Sequence, residues 1–335
     1  MATIGDVARM AGVSQSTVSC ALSGKKYVSA ELMERIKRCC EALNYAPSVL
    51  ASSFALKKTG IIGLFLDRNE NVYYDFFDDL IRQCILTVSA YNYKILVFFG
   101  KDQNYESNLA QGKSLIDAAI VLAPENLDER IEKIQKLMPV VVIGRPMSNA
   151  ATVSVDIDNK KLVFDVTSAL IGEYNHRNIL FINSNANLTI TADRKKGFVS
   201  ALMQNGIDFS EEQMTYLEHE TAEEGYKSAS VLLQNRGKYS AIIVSSVDAV
   251  AGIYRAAEEN GLKIPKDLSV FALGGEPETA LKLSPRISYA HQDYALIARC
   301  AMDNLLQMMN GASAEDVILE NSTLTFAESC VKLKT

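Results

Sequence analysis

Two short amphipathic segments joined by a glycine turn open the chain and constrain its N-terminal fold. Thr3 precedes Asp6 by three residues, which is capping-box spacing at a helix start. Gly12 permits a left-handed turn, after which Ser14 can cap a second helix and Ser29 a third. The apolar residues at helical spacing are Ile4, Val7, Ala8 and Ala11; Val18, Ala21 and Leu22; and Leu32, Ile36, Cys39 or Cys40, and Leu43. The pattern predicts a three-helix core with a helix-turn-helix.

The charge of the chain is unevenly distributed. Residues 1–58 carry eight basic and four acidic side chains, a net charge of +4, whereas the whole chain has −6 and the remainder therefore −10. A basic segment attached to an acidic remainder is typical of a protein in which one part contacts nucleic-acid phosphates. The helical pattern alone also fits a generic small bundle that binds nothing.

Beyond residue 60, short apolar runs alternate with helical patterns. Such runs indicate parallel strands whose sheets are covered by helices on both faces. The predicted strands are Ile61–Leu66, Ile95–Phe99, Ala118–Ala123, Val140–Ile143, Ile179–Ile182, Ala241–Ser245 and Ser269–Leu273. Two series of this kind predict two α/β lobes, with a ligand site in the cleft beyond the carboxyl ends of the strands.

The N-terminal motif carries a specific family resemblance. The pattern T-I-x-D-V-A-x-x-A-G-V-S-x-S-T-V-S begins at Thr3, and Asn44-Tyr45 and Pro47 follow. It resembles the LacI/GalR family of bacterial transcriptional regulators. The resemblance implies an all-α helix-turn-helix head and an α/β two-lobed periplasmic-binding-protein-like body. Its domains would be a DNA-binding domain (1–47), a hinge helix or linker (48–58) and an effector-binding and dimerisation domain (59–335). The first lobe would hold about 60–160 and 291–320, and the second about 161–290 and 321–330.

The resemblance also implies which residues contact double-stranded operator DNA. Base contacts would fall on Gln15, Ser16 and Cys20 in the second helix, where glutamine can bond adenine in bidentate fashion and a thiol is a poor hydrogen-bonding group. Backbone contacts or caps complete the set. The predicted DNA-binding residues are Thr3, Gln15, Ser16, Thr17, Ser19, Cys20, Lys25, Lys26, Tyr45, Ser52 and Phe54.

The hinge segment is too short to form a stable helix alone in water. In the family it folds on operator DNA and wedges an apolar side chain into the minor groove, a position that Phe54 occupies here. Ser52 stands where an arginine is common. The alternative is a linker whose Phe54 packs on the following domain.

Five residues are predicted to bind a small-molecule effector. Arg194 matches the family arginine whose fork can hold a carboxylate, phosphate or paired hydroxyls, although it also lies in a lysine- and arginine-rich stretch. Tyr73 and Tyr74 follow the first strand and can stack on a ring, or one of them belongs to the core. Asp248 and Glu276 complete the set.

Three positions depart from sugar-binding relatives. Gly144 and Gly274-Gly275 replace aspartates, and Ser246-Val247 replaces an Asn-Asp pair. Because buried hydroxyls need fixed polar partners, these losses argue against a typical monosaccharide. Another metabolite, or a cleft that has lost ligand control, fits the pattern. Asp158-Asn159 is interpreted as mainly structural.

Other functional classes fit less well. No apolar run approaches the roughly 20 residues of a membrane span, and the N-terminus does not resemble a secretory signal, which predicts a cytoplasmic location. The six cysteines form no zinc pattern, and neither cofactor nor metal site is predicted. No P-loop, G-x-S-x-G or H-E-x-x-H motif supports an enzyme.

A cytosolic solute-binding protein is the rival interpretation. The chain ends after a strand-like Thr323–Phe326, without the leucine-repeat helix of tetrameric relatives, so a repressing homodimer without membrane contact is predicted.

Overall fold

The computed structural model describes the chain as two compact units. One comprises residues 1–60 with 114–116, and the other residues 61–113 with 117–335. The described residues are 2–23, 28–45, 58–66, 75–99, 115–122, 129–145, 152–235, 237–274, 282–320 and 322–334. We call the three N-terminal helices the head and the chain from residue 61 the body.

Local capping defines the helices of the head. The Thr3 hydroxyl accepts a hydrogen bond from the Asp6 amide at 3.3 Å, and the Asp6 carboxylate accepts one from the Thr3 amide at 2.9 Å. Gly12 ends the first helix at a φ of +66°, and the Ser14 hydroxyl accepts a bond from the Thr17 amide at 3.1 Å. These helices are α1 (Ile4–Ala11), α2 (Gln15–Ser23) and α3 (Ala30–Ala42).

A small apolar core holds the three helices together. Its buried residues are Val7, Ala8, Ala11, Val18, Ala21, Ile36 and Cys39. Of the two candidate cysteines, Cys39 is buried and Cys40 is half-buried. The predicted helix-turn-helix is confirmed, because helix starts, turn and core all follow from residues close in sequence.

The body contains two six-stranded sheets. Its strands are β1 (Ile61–Leu66), β2 (Lys94–Phe99), β3 (Ala118–Leu122), β4 (Val140–Ile143), β5 (Val153–Ile157), β6 (Ile179–Asn183), β7 (Met214–Tyr216), β8 (Ala241–Val244), β9 (Ser269–Leu273), β10 (Ser288–His291), β11 (Val317–Leu319) and β12 (Thr323–Thr325). Its described helices are α4 (Asp75–Ala90), α5 (Glu129–Gln135), α6 (Asn159–Gly172), α7 (Thr189–Gln204), α8 (Ala222–Leu232), α9 (Val250–Glu259) and α10 (Tyr294–Met309).

The sheet topology confirms the predicted two-lobed α/β architecture. The first sheet has the order β11-β5-β4-β3-β1-β2 and its neighbours pair in parallel. The second has the order β12-β10-β9-β8-β6-β7, and only the edge pair of β10 with β12 is antiparallel. Strands β3, β4, β6, β8 and β9 are buried along their whole length, which explains their continuous apolar runs.

The chain passes between the two sheets three times. It leaves the first sheet after β5, returns after β10 through α10, and leaves it again after β11 to add β12 to the second. Helix α10 packs against α4 and against β3, β4 and β5. Residues from both sheets therefore approach one another wherever a connection crosses.

The C-terminal segment is hydrogen-bonded to residues that precede the buried His176 in sequence. The Asn175 side chain donates a hydrogen bond to the Leu333 carbonyl at 2.9 Å, and the Leu333 amide donates one to the Tyr174 carbonyl at 2.9 Å. His176 is fully buried, and its ring Nδ1 lies 3.0 Å from the Ser240 hydroxyl oxygen. Burial lowers the pKa of His176, and a backbone hydrogen bond at Val331 opposes part of this shift.

This lowered pKa predicts a loss of stability in mild acid. The unfolded chain binds the His176 proton near its ordinary pKa of about 6.5, above the folded pKa, so the stability contribution is complete above that pH and falls below it. The slope reaches at most about 1.4 kcal/mol per pH unit. Urea unfolding across this window should show a shallower pH dependence for His176→Gln than for wild type. Equal slopes for the two proteins would contradict the assignment.

Candidate ligand cleft and DNA-contacting face

The ends of several body strands converge on one cavity. It has a volume of about 60 Å³ and is bordered by residues of the first sheet, of four body helices and of the segment that follows β10. Gly144 follows β4, Asp156 lies in β5, and Gln292 follows β10. Since buried water needs roughly 10–15 Å³ in this measure, the space accommodates several waters or a small molecule. The predicted position of a ligand site beyond strand ends is consistent with this cavity.

Arg194 on α7 lies at the centre of the polar side of the cavity. Only 4% of it is exposed. Its Nε donates a hydrogen bond to Asn159 Oδ1 at 3.0 Å, and its Nη1 donates one to Ser184 Oγ at 2.9 Å. Ser184 Oγ in turn donates to Glu220 Oε1 at 2.6 Å. The guanidinium is thus an internal link between the start of α6, the end of β6 and the start of α8.

Asp156 extends this network into β5 of the first sheet. Its Oδ1 accepts hydrogen bonds from the Ile157 amide at 2.8 Å and from Asn159 Nδ2 at 3.2 Å. Burial raises the pKa of Asp156 to about 6, against the opposing effects of the Ile157 hydrogen bond and the positive charge of Arg194. The carboxyl group therefore changes charge just below neutral pH.

Gly197 sets the distance between α6 and α7. A Cβ at this position would lie 2.2 Å from the Lys160 carbonyl oxygen, a backbone atom that no side-chain rotation can move away. This close approach brings Arg194 within reach of Asn159, which adjoins Lys160 in sequence. A small residue in α7 is thus a condition for the polar network.

Gly197→Ala is expected to destabilise the body by about 1–3 kcal/mol, because the helices must separate to accommodate the methyl group. Helix propensity alone predicts the opposite sign, a gain of up to about 1 kcal/mol. Urea unfolding decides between them, with Gly172→Ala as a control because no atom lies within 4 Å of the Cβ there. A stabilised Gly197→Ala variant would show that the contact is not limiting.

Glycines occupy two strand ends in this region: Gly144 borders the cavity, and Gly274 lies beside Gln292. Gly144 and Gly274 have φ values of +105° and +86°, where other residues are strained. Their amides already donate hydrogen bonds, Gly144 to the Val155 carbonyl at 2.9 Å and Gly274 to the Ala290 carbonyl at 3.0 Å. Neither strand end supplies a side chain or an unused amide to a ligand.

Gln292 was not predicted from the sequence as a site residue, yet it borders the cavity. It is 4% exposed, and its Nε2 has no hydrogen-bond partner among the described residues. A Cβ built on Gly274 would lie 3.4 Å from that nitrogen. A polar residue directly after a strand with alternate buried residues was the available signal, but only the folded chain shows that its amide is enclosed.

The other predicted effector residues have different locations. Tyr73, Tyr74 and Glu276 lie outside the described residues. Asp248 lies in a short 3-10 turn, where its amide donates to Ser246 Oγ at 3.2 Å, and it is not among the described residues that border the cavity. Of the two predicted effector residues that the structure describes, Arg194 borders the cavity and Asp248 does not.

Asp158 and Asn159, interpreted from the sequence as mainly structural, make different contacts. Asp158 caps α6 by accepting a hydrogen bond from the Lys161 amide at 2.8 Å, as a structural residue would. Asn159 is buried, borders the cavity and binds Arg194. The adjacent pair therefore joins a helix cap to the polar network.

The head presents the first turn of α2 to solvent. Gln15, Ser16 and Ser19 are exposed, while Thr17 and Cys20 are half-buried. The Ser16 and Thr17 hydroxyls each lie 2.8 Å from the Ser14 hydroxyl, so both join the cap. Gln15 therefore has the longest exposed polar side chain of this turn.

The remaining predicted DNA contacts flank or lie outside this turn. Thr3 is exposed, and its hydroxyl donates to the Asp6 carboxylate at 2.7 Å. Half-buried Tyr45 packs against the head core. Lys25, Lys26, Ser52 and Phe54 lie outside the described residues.

Comparison with known protein families gives a match in each unit. Residues 3–48 match the model described as bacterial regulatory proteins, lacI family, and residues 170–330 match the periplasmic binding protein-like domain. The chain thus combines a lacI-family DNA-binding domain with a periplasmic binding protein-like domain.

Curated relatives match over nearly the whole length of this chain. Catabolite control protein A of Priestia megaterium is 27% identical over 95% of this chain and 96% of its own length. The ribose operon repressor of Haemophilus influenzae is 28% identical over all of both chains. These curated relatives are transcriptional regulators.

Solved structures support the fold. A lac repressor dimer bound to operator and an anti-inducer has a TM-score of 0.82 at 20% identity, covering 98% of this chain and 99% of that one. The complex of the regulator CelR with cellobiose has a TM-score of 0.74 at 22% identity, covering 98% and 100%. None of the described helices of this chain is long and apolar enough to cross a membrane.

Proposed function

We propose that this lacI-family regulator is a cytoplasmic, homodimeric repressor that binds a near-palindromic operator under the control of a small molecule in the body cleft. The exposed first turn of α2 in a helix-turn-helix supports DNA binding most directly. Two such heads related by a twofold axis would contact two half-sites with inverted sequence.

Sequence recognition in this proposal depends on Gln15. Its side chain is exposed at the start of α2, the part of a recognition helix that reaches base edges in the major groove. A glutamine amide can donate to and accept from adenine at once, whereas the short Ser16 and Ser19 hydroxyls discriminate less. Phe54 and Ser52 would contact the minor groove when the hinge folds on DNA.

Control in this proposal comes from the cleft. The polar network joins Asp156 in the first sheet to Ser184 and Glu220 in the second lobe, so a ligand beside it contacts elements of both lobes. A ligand that binds one lobe arrangement more tightly shifts the population of DNA-competent dimers. A regulator without ligand control, or a cytosolic solute-binding protein, would show one of the two activities alone.

Selection from a random duplex library tests the proposal. The full-length protein should enrich an inverted repeat, because each subunit contributes one identical head. A deletion variant beginning at residue 61 serves as the control for DNA retention by the body. Failure to enrich any sequence over that control would refute the proposed function, and enrichment of a single asymmetric site would refute the dimer.

Gln15→Ala is expected to weaken binding to the selected operator by about 1–3 kcal/mol per half-site, roughly 5- to 150-fold, because a bidentate base contact is lost. Non-specific binding should remain unchanged, since the variant keeps every charge. Fluorescence anisotropy measures both affinities. Gln204→Ala, an exposed glutamine in α7, is the matched control. A Gln15 variant that binds the operator as tightly as this control would exclude the proposed contact.

A further inference from the structure

We infer that the cleft takes an uncharged ligand with a compact apolar body and one hydrogen-bond acceptor, such as a carbonyl oxygen. This inference rests on the proposed role of the cleft as the effector site and specifies the chemistry of that ligand. Three features of the described residues carry it: an aliphatic wall, charged groups with partners inside the protein, and the enclosed amide donor of Gln292.

The wall of the cavity is aliphatic on several sides. Ile143, Val155 and Ile157 contribute from the first sheet, Leu188 and Ile190 from the start of α7, and Ile297 from α10. Contact between this surface and the apolar groups of a ligand is favourable, whereas a hydroxyl placed against it would lack a hydrogen-bond partner. It therefore favours a compact hydrocarbon ring or chain.

The charged groups at the cavity are compensated within the protein. Arg194 is bonded to Asn159 and Ser184, and Ser184 connects it to the carboxylate of Glu220. Asp156 adds a second acidic group on the other side of Asn159. An anionic ligand near Arg194 would also approach these carboxyl groups, at an electrostatic cost.

Gln292 provides an enclosed hydrogen-bond donor at the cavity. Its Nε2 is enclosed, borders the cavity and has no hydrogen-bond partner in the described part of the chain. An enclosed donor without a partner is costly, and an acceptor on the ligand would remove that cost. The glycines at the neighbouring strand ends offer no additional donors, because their amides already bond to Val155 and Ala290. An acceptor on the ligand beside Gln292 matches this donor.

Three probes with a six-membered ring separate the alternatives. Cyclohexanone is neutral with a carbonyl acceptor, cyclohexanecarboxylate carries the same ring with a negative charge, and glucose presents hydroxyls around its ring. Saturation-transfer NMR titrations of the full-length protein should show cyclohexanone binding, with both other probes at least about tenfold weaker. Equal or tighter binding of the carboxylate or of glucose, or no cyclohexanone binding at millimolar concentration, would overturn the inference.

Two variants place the probe in the cleft. Ile297→Phe should abolish cyclohexanone binding by filling the cavity. Gln292→Leu keeps the approximate side-chain size but removes the donor, and should weaken cyclohexanone by about five- to tenfold while leaving methylcyclohexane binding unchanged. Unaltered cyclohexanone binding in Gln292→Leu would overturn the assigned donor. Operator binding by the same wild-type preparation separates this outcome from a failure of the proposed function, since specific DNA binding does not require the probe.

Discussion

Replacing Arg194 with alanine is expected to lower the free energy of unfolding of the body by roughly 3–5 kcal/mol, because removal of one partner leaves the others buried without compensation. The guanidinium is 4% exposed and bonds Asn159 and Ser184. Its loss would also leave the Asp156 and Glu220 carboxyl groups without their nearest buried positive charge. The expected effect is thus larger than that of an ordinary surface substitution.

Urea unfolding followed by circular dichroism measures this difference, and Arg145→Ala is the matched control. The Arg145 side chain is 55% exposed and lies 4.0 Å from Asp193, so its removal should change the free energy of unfolding by less than about 1 kcal/mol. If the two arginine variants differ by less than about 1 kcal/mol, the network around Arg194 is not a structural link.

The head should lose DNA binding entirely when its core is disrupted. Val18 is fully buried between the helices, and Val18→Asp would place a carboxylate there without a described basic partner in the buried core. Because so small a unit has little apolar surface to lose, we expect the head to unfold. Operator affinity should fall by more than about 100-fold, while the urea transition of the body stays unchanged.

Met10→Asp is the control for added charge. Met10 lies on α1 and is 55% exposed, so the substitution adds the same charge without entering the core. It should weaken operator binding by less than about tenfold, in line with one additional unfavourable charge near DNA. Retention of operator binding within tenfold by Val18→Asp would show that the folded head is not the DNA-binding element.

The parts of the fold that depend on residues close in sequence could be predicted from the sequence. The Thr3 capping box, the turn at Gly12 and the Ser14 cap each involve residues at most four positions apart, and their spacing is visible in the sequence. The buried strands were recognisable because parallel sheets covered on both faces require unbroken apolar runs. The exact strand ends differed by about one residue, as expected where hydrogen bonding ends gradually.

The cleft was less predictable because its contacts join distant residues. In Arg194-Lys195-Lys196, the sequence does not show which of the three side chains turns inward. In the structure Lys195 bonds Glu211 at 2.9 Å and Lys196 bonds Asp193 at 2.8 Å, both near solvent, whereas Arg194 is buried. Its partner Asn159 lies 35 positions away, so only tertiary packing defines the pair.

The central claim, sequence-specific DNA binding, is tested most directly by titrating the protein with its selected operator and with a scrambled duplex of equal length and composition. Anisotropy titrations at several salt concentrations should give an affinity ratio of at least about 10³ and a steep loss of affinity with salt, because base contacts supply the ratio and phosphate contacts the salt dependence. Equal affinity for the two duplexes at every salt concentration would contradict the account.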